Sequence, residues 1–160
     1  QCRIADSVAA VLNFIASVTG SSHRLQSVQQ TSGVNTMDAA LAQPDTPDLV
    51  IPAILGLGLP SGVNAPALGM QVQKMGRTTG LTSGYITQID VTVSVDYAGR
   101  TAFFTDQVIT SSMSSPGDSG SGILDMDRRA VGLLFAGSTS VTIFTPIQRI
   151  LDYFGVQLAQ

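Results

Sequence analysis

A serine placed between glycines is the feature of this sequence best suited to chemistry. Residues 115–122 read Ser-Pro-Gly-Asp-Ser-Gly-Ser-Gly and predict a turn between two strands that presents Ser119. A serine that attacks a carbonyl needs an exposed hydroxyl and backbone N–H groups directed at the developing oxyanion. Gly117 and Gly120 leave room for both, and the N–H groups of Gly117 and Ser119 would form the oxyanion hole. A simple Gly/Ser turn in a β protein, or an anion-binding nest of amides, is the alternative interpretation.

The elements that must position this turn are mostly strands. Lys74 is the only lysine and glutamate is absent, so good helix formers for surface positions are scarce. Runs bounded by Gly, Pro, Asn, Asp or Ser predict strands over 48–55, 71–75, 85–97, 101–110, 122–126, 130–136 and 139–144. This spacing is typical of a mostly antiparallel barrel or sandwich, and we predict an all-β fold.

Three local patterns refine this fold. Residues 86–97 alternate with a period close to two and lead into a hairpin turn. Residues 7–18 fit either a helix face or a strand, and periodicity does not separate the two. At the C-terminus, Thr145 as the cap and Pro146 at the first helical position predict an amphipathic helix that ends before Gly155.

Composition limits the class of protein. The chain has 160 residues, of which 44% are hydrophobic and 12% charged, as in one compact domain or part of a two-lobed one. The single cysteine, Cys2, cannot form an internal disulfide, and no Cys/His cluster has zinc spacing, so we expect neither a metal nor a cofactor. The scattered basic residues and the net charge of −3 argue against a nucleic-acid partner. No apolar run is long enough to span a membrane, and we expect no membrane partner.

Beyond the serine turn, other segments resemble the trypsin-like (chymotrypsin-fold) serine peptidases, particularly the bacterial members. Residues 74–84, Lys-Met-Gly-Arg-Thr-Thr-Gly-Leu-Thr-Ser-Gly, are similar to the Gly-rich opening of the family's second barrel. Residues 35–41 resemble its acidic triad segment, and 131–137 resemble the strand that lines the substrate channel. The matches run in the family's order over residues 38–156. The resemblance implies a chymotrypsin-like double β-barrel with a C-terminal helix.

Carried over by position, the resemblance assigns Ser119 as the nucleophile and Asp38 as the acid that orients the general base. Gly117 and Ser119 would be the oxyanion donors. Asp118 matches the carboxylate that is buried beside the oxyanion loop and supports it. In activated animal relatives its partner is a new N-terminal amine, which this chain does not match, so the partner stays open. An exposed turn aspartate is the alternative.

The resemblance also places the substrate pocket. Met113 would lie at its base, and Leu134, Phe135 and Gly137 would form one side. A carboxylate at the base would select basic side chains, and none is present. We therefore expect a peptide or protein substrate with an apolar or small side chain in the pocket.

The general base is the missing part of the triad. His23 is the only histidine, and only fourteen, mostly polar, residues separate it from Asp38. The hairpin that the family places between base and acid needs about 20 residues. We therefore expect His23 to be an exposed loop residue and the base to lie upstream of Gln1, with self-cleavage as the more economical origin of this start. A triad completed by His23 is the lower-ranked alternative.

These expectations define an organisation for the whole chain. Residues 1–47 would be the remnant of a first barrel with the triad acid, 48–145 the complete second barrel with the nucleophile, and 146–160 the helix and tail. Alone, the chain would be a serine endopeptidase with little or no activity; a noncatalytic peptidase-like binding module is the alternative. Unpaired first-barrel edges would favour association with the chain's own N-terminal segment or a homodimer. Secretion or a periplasmic location fits the composition loosely.

Overall fold

The computed structural model describes residues 33–97 and 99–159. Predictions for residues 1–32, including Cys2, the ambiguous segment 7–18 and His23, lie outside the described residues. Val34–Gln160 form one compact unit, which is described by itself. None of the described residues forms a helix that is long and apolar enough to cross a membrane.

Strands account for most of the regular structure in the described part of the chain. They are β1 (Gly62–Val63), β2 (Gln71–Gly76), β3 (Gly80–Asp96), β4 (Thr101–Ser111), β5 (Gly122–Asp125), β6 (Arg129–Gly137) and β7 (Val141–Pro146). One helix, α1 (Ile147–Phe154), follows β7 directly, and a single 3₁₀ turn covers Pro47–Leu49. The expected all-β fold with a C-terminal helix is confirmed.

The strands close into a ring. Their order is β1-β6-β5-β2-β3-β4-β7, and an additional pairing of β6 with β7 completes a barrel. All neighbours in the ring are antiparallel, whereas β1 adds to β6 in parallel. Closure leaves the ring without free strand edges, which removes a common route to aggregation.

The pairing of β3 with β4 is long and irregular. Side chains of β3 alternate between more and less exposed positions, as its sequence pattern predicts. Three register shifts interrupt the pairing, and Asp90 and Asp106 have φ values of 54° and 56°. Such bulges bend a strand and redirect side chains. The bulge in β4 lies next to Gln107, whose side chain is fully buried.

The core fills the ring with side chains from the inward faces of its strands. Its fully buried members are Val72, Ile86, Val108, Ile123, Val131 and Phe144, with Met113 and Leu134 in the same cluster. Burial of each large side chain contributes about 1.5–3 kcal/mol. A smaller cluster packs α1 against the barrel through Ile147, Leu124 and Ala130. The inward pattern of β2 also includes the fully buried Lys74.

Six of the predicted strands correspond to β2 through β7, although β3 begins at Gly80 rather than at Tyr85. The strand predicted over 48–55 is wrong. After the 3₁₀ turn this segment is irregular, with an isolated bridge between Ile54 and Gly58, and Ile51 is 80% exposed. Pro52 has no N–H to donate to a ladder, which explains why an apolar run does not become a central strand.

The helix start also differs in detail from the prediction. Pro146, rather than Thr145, is the N-cap residue, and no side chain caps the helix. The Thr145 hydroxyl instead donates to Gln107 Oε1 over 2.7 Å, because β7 continues to Pro146 and directs Thr145 into the barrel. The predicted C-terminal end is confirmed, since Gly155 adopts the left-handed conformation with a φ of 63°.

Candidate active site

Two consecutive turns present Ser119. Asp118 N donates to Ser115 O over 3.0 Å, and Ser121 N donates to Asp118 O over 3.0 Å. The third residue of each turn is a glycine with positive φ, 100° at Gly117 and 88° at Gly120. Pro116 at the second position and glycine at the third are typical of a type II turn. The local preferences of Pro116, Gly117 and Gly120 therefore favour the conformation of this loop.

The loop leaves the groups needed for acyl transfer accessible. Ser119 is exposed, and its Oγ donates to Phe135 O over 3.3 Å. Within the described part of the chain, neither Gly117 N nor Ser119 N donates a hydrogen bond to the protein. Gly120 N donates to Leu134 O over 2.7 Å, which ties the loop to β6. The two free amides are the pair that the sequence predicts as oxyanion donors.

A tight approach explains why position 117 is glycine. A Cβ there would lie 2.5 Å from Thr78 Oγ1 and 2.8 Å from an Arg77 guanidinium nitrogen. At Gly120, by contrast, a Cβ would meet no atom within 4 Å. The turn that joins β2 to β3 thus packs directly against the serine loop on the Gly117 side.

Asp118 locks the two loops together. Its side chain is 1% exposed, and its Oδ1 accepts from Thr78 N at 2.8 Å and Thr79 N at 3.2 Å. Its Oδ2 accepts from Thr79 Oγ1 at 2.6 Å and Ser115 N at 3.0 Å. The expected burial of Asp118 beside the loop is therefore observed, and the alternative of an exposed turn aspartate does not hold.

Lys74 is the charged partner of Asp118. Its Nζ lies 3.3 Å from Asp118 Oδ2, and both side chains are fully buried. Lys74 Nζ also donates to Gly80 O at 3.1 Å and to Thr79 Oγ1. The ammonium group is therefore hydrogen-bonded on several sides, as a buried charge requires. This partner was left open by the sequence, yet one signal pointed to it: a lone lysine on the apolar face of a strand.

The same contacts determine the ionisation of Asp118. Burial alone would raise the pKa of its carboxyl group. The hydrogen bonds from Thr79 Oγ1 and from the backbone amides of Ser115, Thr78 and Thr79 outweigh burial and hold the pKa far below its ordinary value. Asp118 is therefore a permanent anion at physiological pH, and the loop that carries Ser119 keeps its anchor.

Asp38 is hydrogen-bonded to a tyrosine that lines the cavity beside Ser119. Its side chain is exposed, and its Oδ2 accepts a hydrogen bond of 2.6 Å from the Tyr97 hydroxyl. Tyr97 in turn lines the cavity that contains Ser119. Within the described residues no hydrogen bond joins Asp38 to Ser119 directly. Burial, followed by the hydrogen bond and the negative charge of Asp38, raises the pKa of Tyr97 well above its ordinary value.

The cavity beside Ser119 has a volume of about 460 Å³ and mostly apolar walls. Leu134, Phe135 and Gly137, which the resemblance placed in the substrate pocket, line it. Met113 does not: it is 4% exposed and packs into the barrel core in the same cluster as Leu134. The hydrophobic side chain at 113 lies in the barrel interior, and its place at the base of the substrate pocket stays a prediction.

Known bacterial proteases resemble this chain in sequence and in fold. No family model matches the chain. Over 93 residues, 55% of this chain, the sequence is 33% identical to Streptogrisin-A of Streptomyces griseus. The fold is similar to the crystal structures of Thermobifida fusca protease A (TM-score 0.56, 33% identity, 64% of this chain) and Cellulomonas bogoriensis chymotrypsin (0.53, 31%, 61%).

The chain is therefore similar in sequence and in fold to the bacterial chymotrypsin-like serine proteases. A third structure, Nocardiopsis protease, agrees with a TM-score of 0.57 and 27% identity over 68% of this chain. The resemblance seen in the sequence and the chymotrypsin-like fold are thus confirmed. The chain spans 30% of the length of Streptogrisin-A and 54%, 55% and 59% of the three crystallised relatives.

Proposed function

We propose that this chain carries the nucleophile and the acid of a serine endopeptidase. The observation that supports this most is the loop of Ser119, where an exposed hydroxyl lies beside two unused amides on a turn anchored by the buried Lys74–Asp118 pair. In this proposal Ser119 Oγ attacks the peptide carbonyl as its proton passes to an imidazole. The amides of Gly117 and Ser119 then stabilise the oxyanion.

The remaining steps follow from the same groups. The imidazolium returns its proton to the leaving amine, the C–N bond breaks, and the acyl group stays on Ser119 as an ester. Water, activated by the same imidazole, then releases the acid and restores the hydroxyl. Asp38 keeps the imidazole oriented and stabilises its charged form. We place the base on a segment encoded before Gln1, because the spacing between His23 and Asp38 is too short for the family's hairpin.

The cavity supports a substrate with an apolar side chain. Its lining includes Leu134, Phe135 and Val95, and the one carboxylate among its lining residues, that of Asp96, accepts a hydrogen bond from Gly99 N. An apolar side chain would gain from burial against these walls, whereas a basic side chain would lose its hydration there. A peptide or protein with a large apolar residue before the scissile bond therefore fits best.

A fluorophosphonate probe tests the nucleophile. We expect labelling at Ser119, located by peptide mass analysis, in the protein that includes the residues encoded before Gln1, and weak or no labelling of the 160-residue chain alone. Ser119→Ala should abolish labelling, while the exposed Ser140→Ala should leave it unchanged. Labelling of the isolated chain that His23→Ala removes would instead assign the base to His23.

Self-cleavage is tested on the same longer protein. We expect the Ser119→Ala variant to remain uncut before Gln1, because the proposed reaction needs the serine hydroxyl. A cut that appears in this variant would assign processing to another protease. Light scattering on the 160-residue chain tests the expected homodimer, and light scattering on the longer protein after cleavage tests whether the N-terminal segment is retained; a strict monomer of the 160-residue mass would refute the expectation in each case.

A noncatalytic peptidase-like binding module is the second candidate. It is favoured by one observation: the Asp38 carboxylate is exposed and accepts a hydrogen bond from Tyr97, a partner other than the imidazole that a triad requires. This candidate predicts that the longer protein also stays unlabelled, although peptides with apolar side chains still bind. Binding without labelling, measured by calorimetry, would therefore replace the enzyme proposal.

A further inference from the structure

A row of three aromatic rings connects the two candidate triad members that do not touch. Tyr97 and Phe104 have ring centroids 6.4 Å apart, and Phe104 and Phe135 are 4.9 Å apart. At one end of this aromatic row the Tyr97 hydroxyl donates to Asp38 Oδ2 over 2.6 Å. At the other end Phe135 O accepts from Ser119 Oγ over 3.3 Å. The nucleophile and the acid are therefore linked by packed rings and by the main-chain carbonyl of Phe135.

The main chain before Asp38 is fixed separately. Asn35 N donates to Phe103 O over 2.8 Å, and Thr105 N donates to Asn35 O over 2.9 Å. Two residues before Asp38, Thr36 O accepts from the fully buried Gln107 Nε2 at 2.9 Å. The backbone is thus held against β4, whereas the Asp38 side chain is exposed. Its orientation depends on the one side-chain donor that it has in the described residues, Tyr97.

Tyr97 also belongs to the cavity beside Ser119, together with Phe135. A ligand side chain in this cavity would pack against the same rings that hold the acid. We propose, on the basis of the proposed function, that Tyr97 is a positioning residue. Its hydroxyl orients Asp38 toward the base, and its ring couples occupancy of the apolar cavity to that orientation.

The contact itself is tested without any activity. The ¹³Cζ resonance of Tyr97, assigned by its loss in Tyr97→Phe, is followed against pH over the alkaline range in which circular dichroism stays constant. Because burial and then Asp38 raise the pKa of this phenol, Asp38→Asn should move its titration to lower pH. If Asp38→Asn leaves the Tyr97 titration at the same pH, the proposal is overturned. This outcome would not bear on the labelling of Ser119, which tests the proposed function separately.

The positioning role is tested in the form of the protein that labels at Ser119. Tyr97→Phe keeps the ring and should lower kcat by about 10–100-fold, the size expected for one hydrogen bond to a charged group, with KM for an apolar peptide unchanged. Tyr97→Ala removes the cavity wall and should raise KM as well. Tyr85→Phe replaces an exposed tyrosine of β3, the strand that ends just before Tyr97; it is the matched control and should change neither.

A double-variant cycle separates positioning from general damage. If Tyr97 acts through Asp38, Tyr97→Phe should have no further effect on kcat once Asp38→Asn is present. Additive losses, or an unchanged kcat in Tyr97→Phe alone, would overturn the role while Ser119-dependent turnover still supports the proposed function. Turnover that survives Ser119→Ala would refute the proposed function and the positioning role together.

Discussion

Replacing Lys74 with methionine tests how the loop of Ser119 is held. Lys74 and Asp118 are fully buried with 3.3 Å between Nζ and Oδ2, so Lys74→Met leaves a carboxylate without its counter-ion. Removing one partner of a buried pair costs about 3–5 kcal/mol, a large part of the roughly 5–15 kcal/mol by which a domain is stable. We expect a loss of this size in urea unfolding followed by circular dichroism, with an unchanged m-value.

A coupled variant identifies the cause. Adding Asp118→Asn to Lys74→Met removes the unpaired charge, and the two changes should be non-additive by roughly 0.5–3 kcal/mol. The exposed Arg100→Met is the control for losing a positive charge and should stay within about 0.5 kcal/mol of the wild type. A Lys74→Met protein that loses less than about 1 kcal/mol, or strictly additive effects, would refute the buried-pair argument.

The contribution of Asp118 to the free energy of unfolding should depend on pH. Asp118 has a pKa lowered from its ordinary value of 3.8, so below that pH the unfolded chain binds a proton that the folded chain does not. The stabilisation by Asp118 is therefore complete above about pH 4 and is lost as the pH falls further. The stability difference between the wild type and Asp118→Asn should be constant near neutral pH and shrink below about pH 4. A difference that grows toward acid would contradict the lowered pKa.

Four further substitutions test the loop and its barrel. Gly117→Ala should lose more stability and more Ser119 labelling than Gly120→Ala. Each alanine costs about 1–2 kcal/mol because φ is positive at both positions, but only the Cβ at position 117 would meet neighbouring atoms. Equal effects would exclude the steric explanation. Gly132→Ala should cost about 1–3 kcal/mol in urea unfolding because its Cβ would overlap the Phe144 ring, and a neutral result would contradict that packing. Asp125→Asn should cost about 1–3 kcal/mol through its buried hydrogen bonds, and less at acid pH because the pKa of Asp125 is lowered; a loss that is independent of pH would refute this.

Local patterns in the sequence were sufficient to predict most of the strands and the serine turn. Alternation over residues 86–97 identifies β3, because a strand with one buried face must place apolar residues at every second position. The turn around Ser119 follows from Pro116, Gly117 and Gly120, whose backbone preferences act within four residues. Local patterns were misleading over 48–55, where an apolar run stays exposed outside the barrel.

Contacts between distant segments were decided by the tertiary structure alone. Barrel closure brings β2 beside the serine loop, so Lys74 becomes the partner of Asp118, and the bulged β3–β4 pair brings Tyr97 to Asp38. The same closure draws Met113 into the core and away from the cavity. The physical reason is that turn and strand preferences depend on neighbours along the chain, whereas register and ring closure determine which side chains meet across it.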